Sequence, residues 1–326
     1  MDYDVDNYPI GGFFELELRK KEKFIHSDGI LLSSCRNALE YVLRSLGDIR
    51  HLWIPFYTCE VILAPLTKLN IGYSFYHIDE CLEIKDAITL KDGEYLLYIN
   101  YFGIKDNYTI LLSKKYGSRL IVDNAQSWFS DPIESESTIY SPRKFVGIPD
   151  GGVAYCKTKV EDVVYDQDYS CDRFSHLIKR IDLGPSNAYR DFKENGQKLF
   201  DLPIRRMSTL THSLLSSIDF EWIKNRRIAN FNYLHQVLKN KNKFIVPDIS
   251  TIKCPMVYPY LSDTALLKKR LIENKIFVAT YWPNVLQWCS PEDWEYTFAS
   301  NACFLPIDQR YGEKEMNRIV EIIINQ

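Results

Sequence analysis

Three places in the chain carry residue types and spacings that could do chemistry together. The segment RLIVDNAQ sets a carboxylate, Asp123, directly after an apolar strand-like run, with Gln126 close behind it. Ligands of parallel α/β sheets bind at such strand ends, although an acid there also caps helices and closes surface turns. The segment SPRKFVGIPDGG (141–152) puts Ser141 and Lys144 three apart, ahead of a Gly-rich turn. A lysine amine can bond a carbonyl carbon covalently, but an isolated S-x-x-K is also what a solvated loop looks like. In LLSSCRNALEYVL a polar turn runs into a helix whose first amides come from Ser34, Cys35 and Arg36. Such an end binds phosphate through its unsatisfied N–H groups and its macrodipole, and an ordinary capped helix has the same appearance.

Taken together the three match the needs of pyridoxal 5'-phosphate (PLP). That cofactor requires a lysine amine for covalent attachment, a hydroxyl and amides for its phosphate, and a carboxylate to keep the pyridine nitrogen protonated. Lys144, Ser141 with the 34–36 turn, and Asp123 would fill those places. Opposite a cationic ring, a buried Asp123 can stay ionised where a lone buried acid would take up a proton.

The elements that must position these residues read as strand and helix in alternation. HLWIPF (51–56), YSFYHI (73–78), YLLYINYF (95–102) and RLIVD (119–123) are short apolar runs of the kind buried in parallel sheets. Leu39, Val42, Leu43 and Leu46 fall at helical spacing after Ser34, a fitting cap. The alternation predicts an α/β fold with a mainly parallel sheet covered on both faces. From 157 to 245 the chain turns polar and amphipathic. MVYPYL, a helix from about Thr264 to Asn274, and RIVEIII follow. A length of 326 residues exceeds one core, so a large domain (1–215) and a smaller C-terminal one (216–326) are expected.

Composition narrows the partners. A net charge of −3, with the 40 basic residues scattered, argues against nucleic acid and anionic membranes. Eight cysteines without CxxC or zinc-ligand spacing fit reduced thiols in a cytoplasm and no metal. The start, MDYDVDNYPIGG, lacks the basic end and apolar stretch of a signal peptide, and no segment reaches the roughly 18 apolar residues of a membrane span.

In this order, the motifs resemble the DegT/DnrJ/EryC1/StrS family of sugar aminotransferases. SSCRNALEYVLRSLG is similar to its phosphate-binding helix entry, and WIPFYTCEVILAPL to the next strand with a Pro-aromatic-Thr turn. INYFG resembles the strand ending V-H-x-x-G, DNAQ the D-x-A-Q/H motif, and SPRKFVGIPDGG the lysine loop ending G-D-G-G. RRMSTLTHSLL, NRRIANFNYL and FLPIDQRYGEKEMNRIVEII resemble the R-M-S helix, the R-R-x-x-A-x-x-Y segment and the L-P closing motif. The likeness covers nearly the whole chain.

The resemblance implies a PLP-dependent transferase of fold type I. Its large domain would hold a seven-stranded, mainly parallel sheet, and its small domain would be α+β. Lys144 would bind the cofactor and move the proton, and Asp123 would pair with the pyridine nitrogen. Gln126 would bond the ring hydroxyl, Ser141 and the Ser34, Cys35 and Arg36 amides would take the phosphate, and Tyr57 would lie near the ring face. Arg205 or Arg206 would reach the phosphate of a partner subunit in a homodimer with shared active sites. The activity implied is amino transfer, with glutamate as donor, to a nucleotide-linked keto-sugar in surface-polysaccharide or amino-sugar biosynthesis. Tyr281, Trp282 and Trp288, with Arg310 and Tyr311, suit an aromatic-and-anionic substrate, or equally a packed small-domain core.

Some positions depart from the pattern. Cys59 stands where the family has a stacking aromatic, and reads best as a core thiol. Ile139 replaces a serine, Asn100 a histidine, and Pro203-Ile204 an asparagine. These support a non-catalytic relative as the rival reading. A dehydratase-like relative, which in the family typically has histidine for the lysine, is set against the presence of Lys144, and an α/β protein without PLP is the third reading.

Overall fold

A computed structural model of the chain describes residues 10–19, 23–133, 137–158, 160, 164–200, 202–263 and 265–325. Among these, seven strands form one sheet: β1 (Ile30–Leu32), β2 (His51–Pro55), β3 (Gly72–Tyr76), β4 (Glu94–Ile99), β5 (Leu120–Asn124), β6 (Ser137–Tyr140) and β7 (Gly152–Tyr155). Their spatial order is β1-β7-β6-β5-β4-β2-β3, with β3, β2, β4, β5 and β6 parallel and β7 antiparallel to both its neighbours. Leu120, Ile121 and Val122 are buried in succession, as a central strand covered on both faces requires. The mainly parallel, seven-stranded sheet is the one expected.

Helix α1 (Cys35–Ser45) packs across β6 and β7. Ser34 caps it: its Oγ accepts the Asn37 N–H at 3.1 Å, a contact worth about 1 kcal/mol. Helices α2 (Leu63–Lys68) and α3 (Asp106–Tyr116) follow β2 and β4 as crossovers. The polar stretch resolves into α4 (Ser175–Gln197), broken at Gly184-Pro185, then α5 (Thr209–Ser217) and α6 (Phe220–Leu238).

A second, antiparallel pair joins β8 (Val257–Leu261) to β9 (Ala302–Pro306). Around it lie α7 (Leu266–Glu273), α8 (Val285–Trp288), α9 (Trp294–Asn301) and α10 (Glu313–Ile324). Thr264, the expected start of α7, lies outside the described residues. Met316, Ile319, Val320 and Ile323 make the buried stripe of α10, which packs against α6.

Three contacts bring this second sheet's surroundings onto the large one. Met256 N–H donates to Phe102 O at 2.8 Å, Asn284 Nδ2 donates to Thr58 O at 2.9 Å, and Glu295 of α9 accepts Ile78 N–H at 2.8 Å. No helix among the described residues is long and apolar enough to cross a membrane. All eight cysteines are free thiols.

Candidate active site

One row of the sheet makes the floor of a pocket of about 130 Å³. Asp123 on β5 pairs in register with Ile99 on β4 and Ile139 on β6, so the three side chains stand on one face. All three line the pocket, together with Cys35, Arg36, Leu39, Thr58, Cys59, Val61, Ile62, Ala125, Gln126, Ser141, Lys144 and Trp282. Of the residues singled out by sequence, Cys35, Arg36, Asp123, Gln126, Ser141, Lys144 and Trp282 therefore meet at one place.

Each is held for a local reason. The Asp123 carboxylate accepts the Ala125 N–H at 2.7 Å and has no cationic hydrogen-bond partner among the described residues. Burial pushes its carboxyl up to about 6, against the opposing pull of that N–H and of the Lys144 ammonium. Gln126 turns its Oε1 to the Phe102 N–H at 3.1 Å, and its buried Nε2 has no hydrogen-bond partner among the described residues. That bond depends on the turn after β4, where Phe102 (φ 56°) and Gly103 (φ 69°) are both left-handed. A Cβ at position 103 would meet Cys254 O at 2.9 Å, which explains the glycine.

The lysine loop is tied directly to the start of α1. Gly151 N–H donates to Ser33 O at 2.7 Å. A Cβ at Gly152 would lie 2.3 Å from the Ser34 carbonyl and 2.6 Å from Cys35 N, so only glycine permits this approach. Asp150 anchors the same loop to α5 by accepting the Ser208 N–H at 3.2 Å, its Oγ–H at 3.0 Å and the Thr211 hydroxyl. Ser141 opens the single turn Pro142–Lys144 without a capping bond, and Lys144 is exposed, its Nζ 5.8 Å from the Tyr281 ring centre.

Other expected residues stand elsewhere. Ser34 does not line the pocket, because its hydroxyl is engaged as the α1 cap. Tyr57 lies one layer behind, fully buried, its ring 5.3 Å from that of Trp282 and 5.4 Å from that of Phe298. Trp282 is the aromatic that reaches the cavity, and Cys59, partly buried and packed against the core as expected, also lines it. Arg205 pairs with buried Asp168 at 3.4 Å, and Arg206 joins a backbone bridge to Leu32 with its side chain exposed. Arg310 is engaged by Asp308 at 2.6 and 2.9 Å, Tyr311 lies under Arg310, and Trp288 packs on Phe75. Arg36 also donates to Phe200 O and lies 4.4 Å from the Phe200 ring centre. Asn100 serves its own turn, donating to Asp106 at 2.6 Å.

The pocket residues that sequence reasoning passed over as a binding surface are Leu39, Thr58, Val61, Ile62, Ile99 and Ala125. The one legible signal was position, since Thr58, Ile99 and Ala125 fall at the ends of strands or just beyond them, whereas Leu39, Val61 and Ile62 lie on helical turns.

No family model matches the sequence, and no curated protein matches it. Solved structures do. A DegT DnrJ EryC1 StrS aminotransferase from Brucella abortus superposes with a TM-score of 0.63 at 16% identity, over 91% of this chain and 85% of that one. The protein ntda from Bacillus subtilis, solved with bound cofactor PMP, gives 0.63 at 15%, over 91% and 72%. DesI, solved in the presence of its TDP-sugar product, gives 0.61 at 12%, over 90% and 79%. The chain therefore has the fold of the DegT/DnrJ/EryC1/StrS aminotransferases, which is PLP fold type I.

Proposed function

We propose that this protein is a PLP-dependent aminotransferase acting on a nucleotide-linked keto-sugar. The observation that carries the reading is the convergence of Lys144, Asp123 and the unsatisfied Gln126 Nε2 on one pocket. The residues fit the group. A half-buried carboxylate answered only by the Ala125 N–H and the field of Lys144 suits a cation such as a pyridinium, and an orphaned amide N–H calls for an acceptor such as a ring oxygen. Arg36 and Ser141 line the same pocket as Cys35 at the α1 terminus, where helix amides and dipole favour a phosphate. PMP in ntda and a TDP-sugar with DesI support the cofactor and substrate class by likeness of fold.

When bound, PLP would supply an electron sink for the carbon that exchanges nitrogen. The chain would do the rest. Asp123 would hold its negative charge against the ring nitrogen, and Gln126 would orient the ring oxygen. Lys144 would hold the cofactor through its amine and then, released, move a proton at the reacting carbon. Ile99 and Ile139 would keep water from the floor. Trp282, which lines the pocket where Tyr57 does not, would present the aromatic face.

We put the boundary between large and small parts at 215/216, within the last turn of α5 (Thr209–Ser217) and just ahead of α6. A second copy would complete the site: Lys144 is exposed in the single chain, Arg205 and Arg206 lie outside its own pocket, and Ile10, Phe13, Phe14, Ile181 and Leu183 are exposed. A ligand-binding relative without turnover is the second reading, favoured by Cys59 and Ile139 at the cavity wall. Borohydride reduction after PLP addition, followed by peptide mapping, should place the label on Lys144. A label elsewhere, or none, overturns the proposal, and single-turnover amino transfer separates the two readings.

A further inference from the structure

The geometry points to a positioning unit for Lys144 made by Arg227 of α6 and Gln309 of the loop before α10. It rests on the reading that Lys144 holds the cofactor.

Arg227 is 2% exposed. Among the described residues its guanidinium pairs with no carboxylate. Nε donates to Gln309 Oε1 at 3.1 Å, Nη1 to Met256 O at 2.9 Å and Nη2 to Phe145 O at 3.3 Å, with the group 4.8 Å from the Phe145 ring centre. Gln309 Nε2 donates to the same Phe145 O at 2.8 Å. The carbonyl one residue past Lys144 thus takes two donors, while the Phe145 N–H returns to Pro142 O at 2.9 Å. The residue following Lys144 is held at both ends of its backbone, and the lysine side chain is left as the moving part.

Three segments distant in sequence meet on this one cation: the lysine turn, Met256 at the entrance to β8, and the 307–311 loop. Asn230, one turn along α6, secures that loop by donating to Ile307 O at 3.1 Å and Tyr311 O at 3.1 Å. A buried guanidinium costs more desolvation than an apolar side chain of equal volume, so filling space does not account for it. What it supplies is registration. An amine that must bond one atom and then move a proton at another needs its backbone held to within about 0.5 Å. The unit ties that backbone to the entrance of β8, whose partner strand β9 sets Phe304 against Tyr281 at 4.9 Å between ring centres, beside the Trp282 of the pocket wall.

Gln309→Glu is the decisive variant. A carboxylate at 309 keeps a partner for Arg227 and keeps the packing volume, but it has no N–H to offer Phe145 O. Its melting temperature should match wild type. After PLP addition, the share of borohydride label on Lys144 should fall by about tenfold, and the pH midpoint of the visible absorbance should shift. Arg227→Lys, which cannot span three acceptors, should show the same defect. In the cofactor-free protein, amide exchange across 142–148 should quicken by about tenfold in Gln309→Glu while α5 is unchanged. Wild-type labelling, absorbance and exchange in Gln309→Glu would overturn the inference. If the wild type itself takes no label on Lys144, the functional reading fails, and the exchange comparison alone decides whether the unit holds the lysine turn.

Discussion

At the scale of single residues, the site is built at a cost in stability. Asp123 titrates near 6 in the folded chain against an ordinary value of 3.8, so the folded state binds more protons between those values. The sign follows: the penalty is absent below 3.8 and complete above 6, where it reaches at most about 3 kcal/mol. Cofactor-free Asp123→Asn should therefore be more stable than wild type at pH 8 and no more stable near pH 4, by urea unfolding. The same variant should lose amino transfer on the order of a hundredfold or more, because an amide cannot hold a protonated ring. Near wild-type turnover would remove Asp123 from the mechanism. His26 behaves in the opposite sense. Burial lowers it from 6.5 to about 4, with Nε2 at 2.8 Å from Trp128 O and its ring 3.9 Å from that of Tyr140. The unfolded chain binds the extra proton between 4 and 6.5, so this contribution is full above 6.5 and declines as pH falls toward 4. His26→Phe should flatten the stability difference between pH 7.5 and 5 by about 2 kcal/mol at most, and an unchanged slope would show that other groups set the acid limit.

At the scale of elements, catalytic geometry depends on the close approach of the lysine loop to the start of α1. Gly152 permits that contact, and the atoms a Cβ would meet are all backbone. Gly152→Ala should push α1 and the loop apart, weaken PLP binding by about tenfold or more, and cost about 1–3 kcal/mol of stability. A PLP titration and a urea melt of the variant check this. Tight binding with alanine in place would mean that the two elements need not touch. Asp150 reinforces the joint from the other side through Ser208 and Thr211, at the entry to α5. The joint thus links three elements whose sequence positions span 33 to 211.

At the scale of the whole molecule, the acceptor and the assembly are the quantities to measure. Arg310 is neutralised by Asp308, and Trp288 is packed on β3, so of the tail residues only Trp282 lines the pocket. Glutamate-loaded protein should aminate nucleotide keto-sugars faster than pyruvate or other simple keto acids. Faster turnover of the simple acids would overturn the sugar reading and leave the PLP assignment standing. Light scattering should give a dimer, and mixing Lys144→Ala chains with chains lacking Arg205 and Arg206 should restore part of the activity. A fully active monomer would sink the shared-site proposal.

The sequence alone sufficed for the α/β alternation, the Ser34 cap and the grouping of Asp123, Ser141 and Lys144, with Gln126 added by the family resemblance. The first of these depend on periodicity, cap chemistry and local motifs, which are short-range properties. It left β1, β6 and β7 unread, since strands of three or four residues carry too little periodicity to stand out, and it left β9 unread as well. Only the tertiary structure decided that Trp282 and not Tyr57 lines the pocket, that Cys59 belongs to its wall, and that Arg310 is already engaged. It also decided that Arg227 and Gln309, 82 positions apart, share one carbonyl beside Lys144. Such outcomes turn on which side chains the sheet register and the packing of α6 and β8 bring within a few ångströms. That is a long-range competition for partners, and residue spacing along the chain does not encode it.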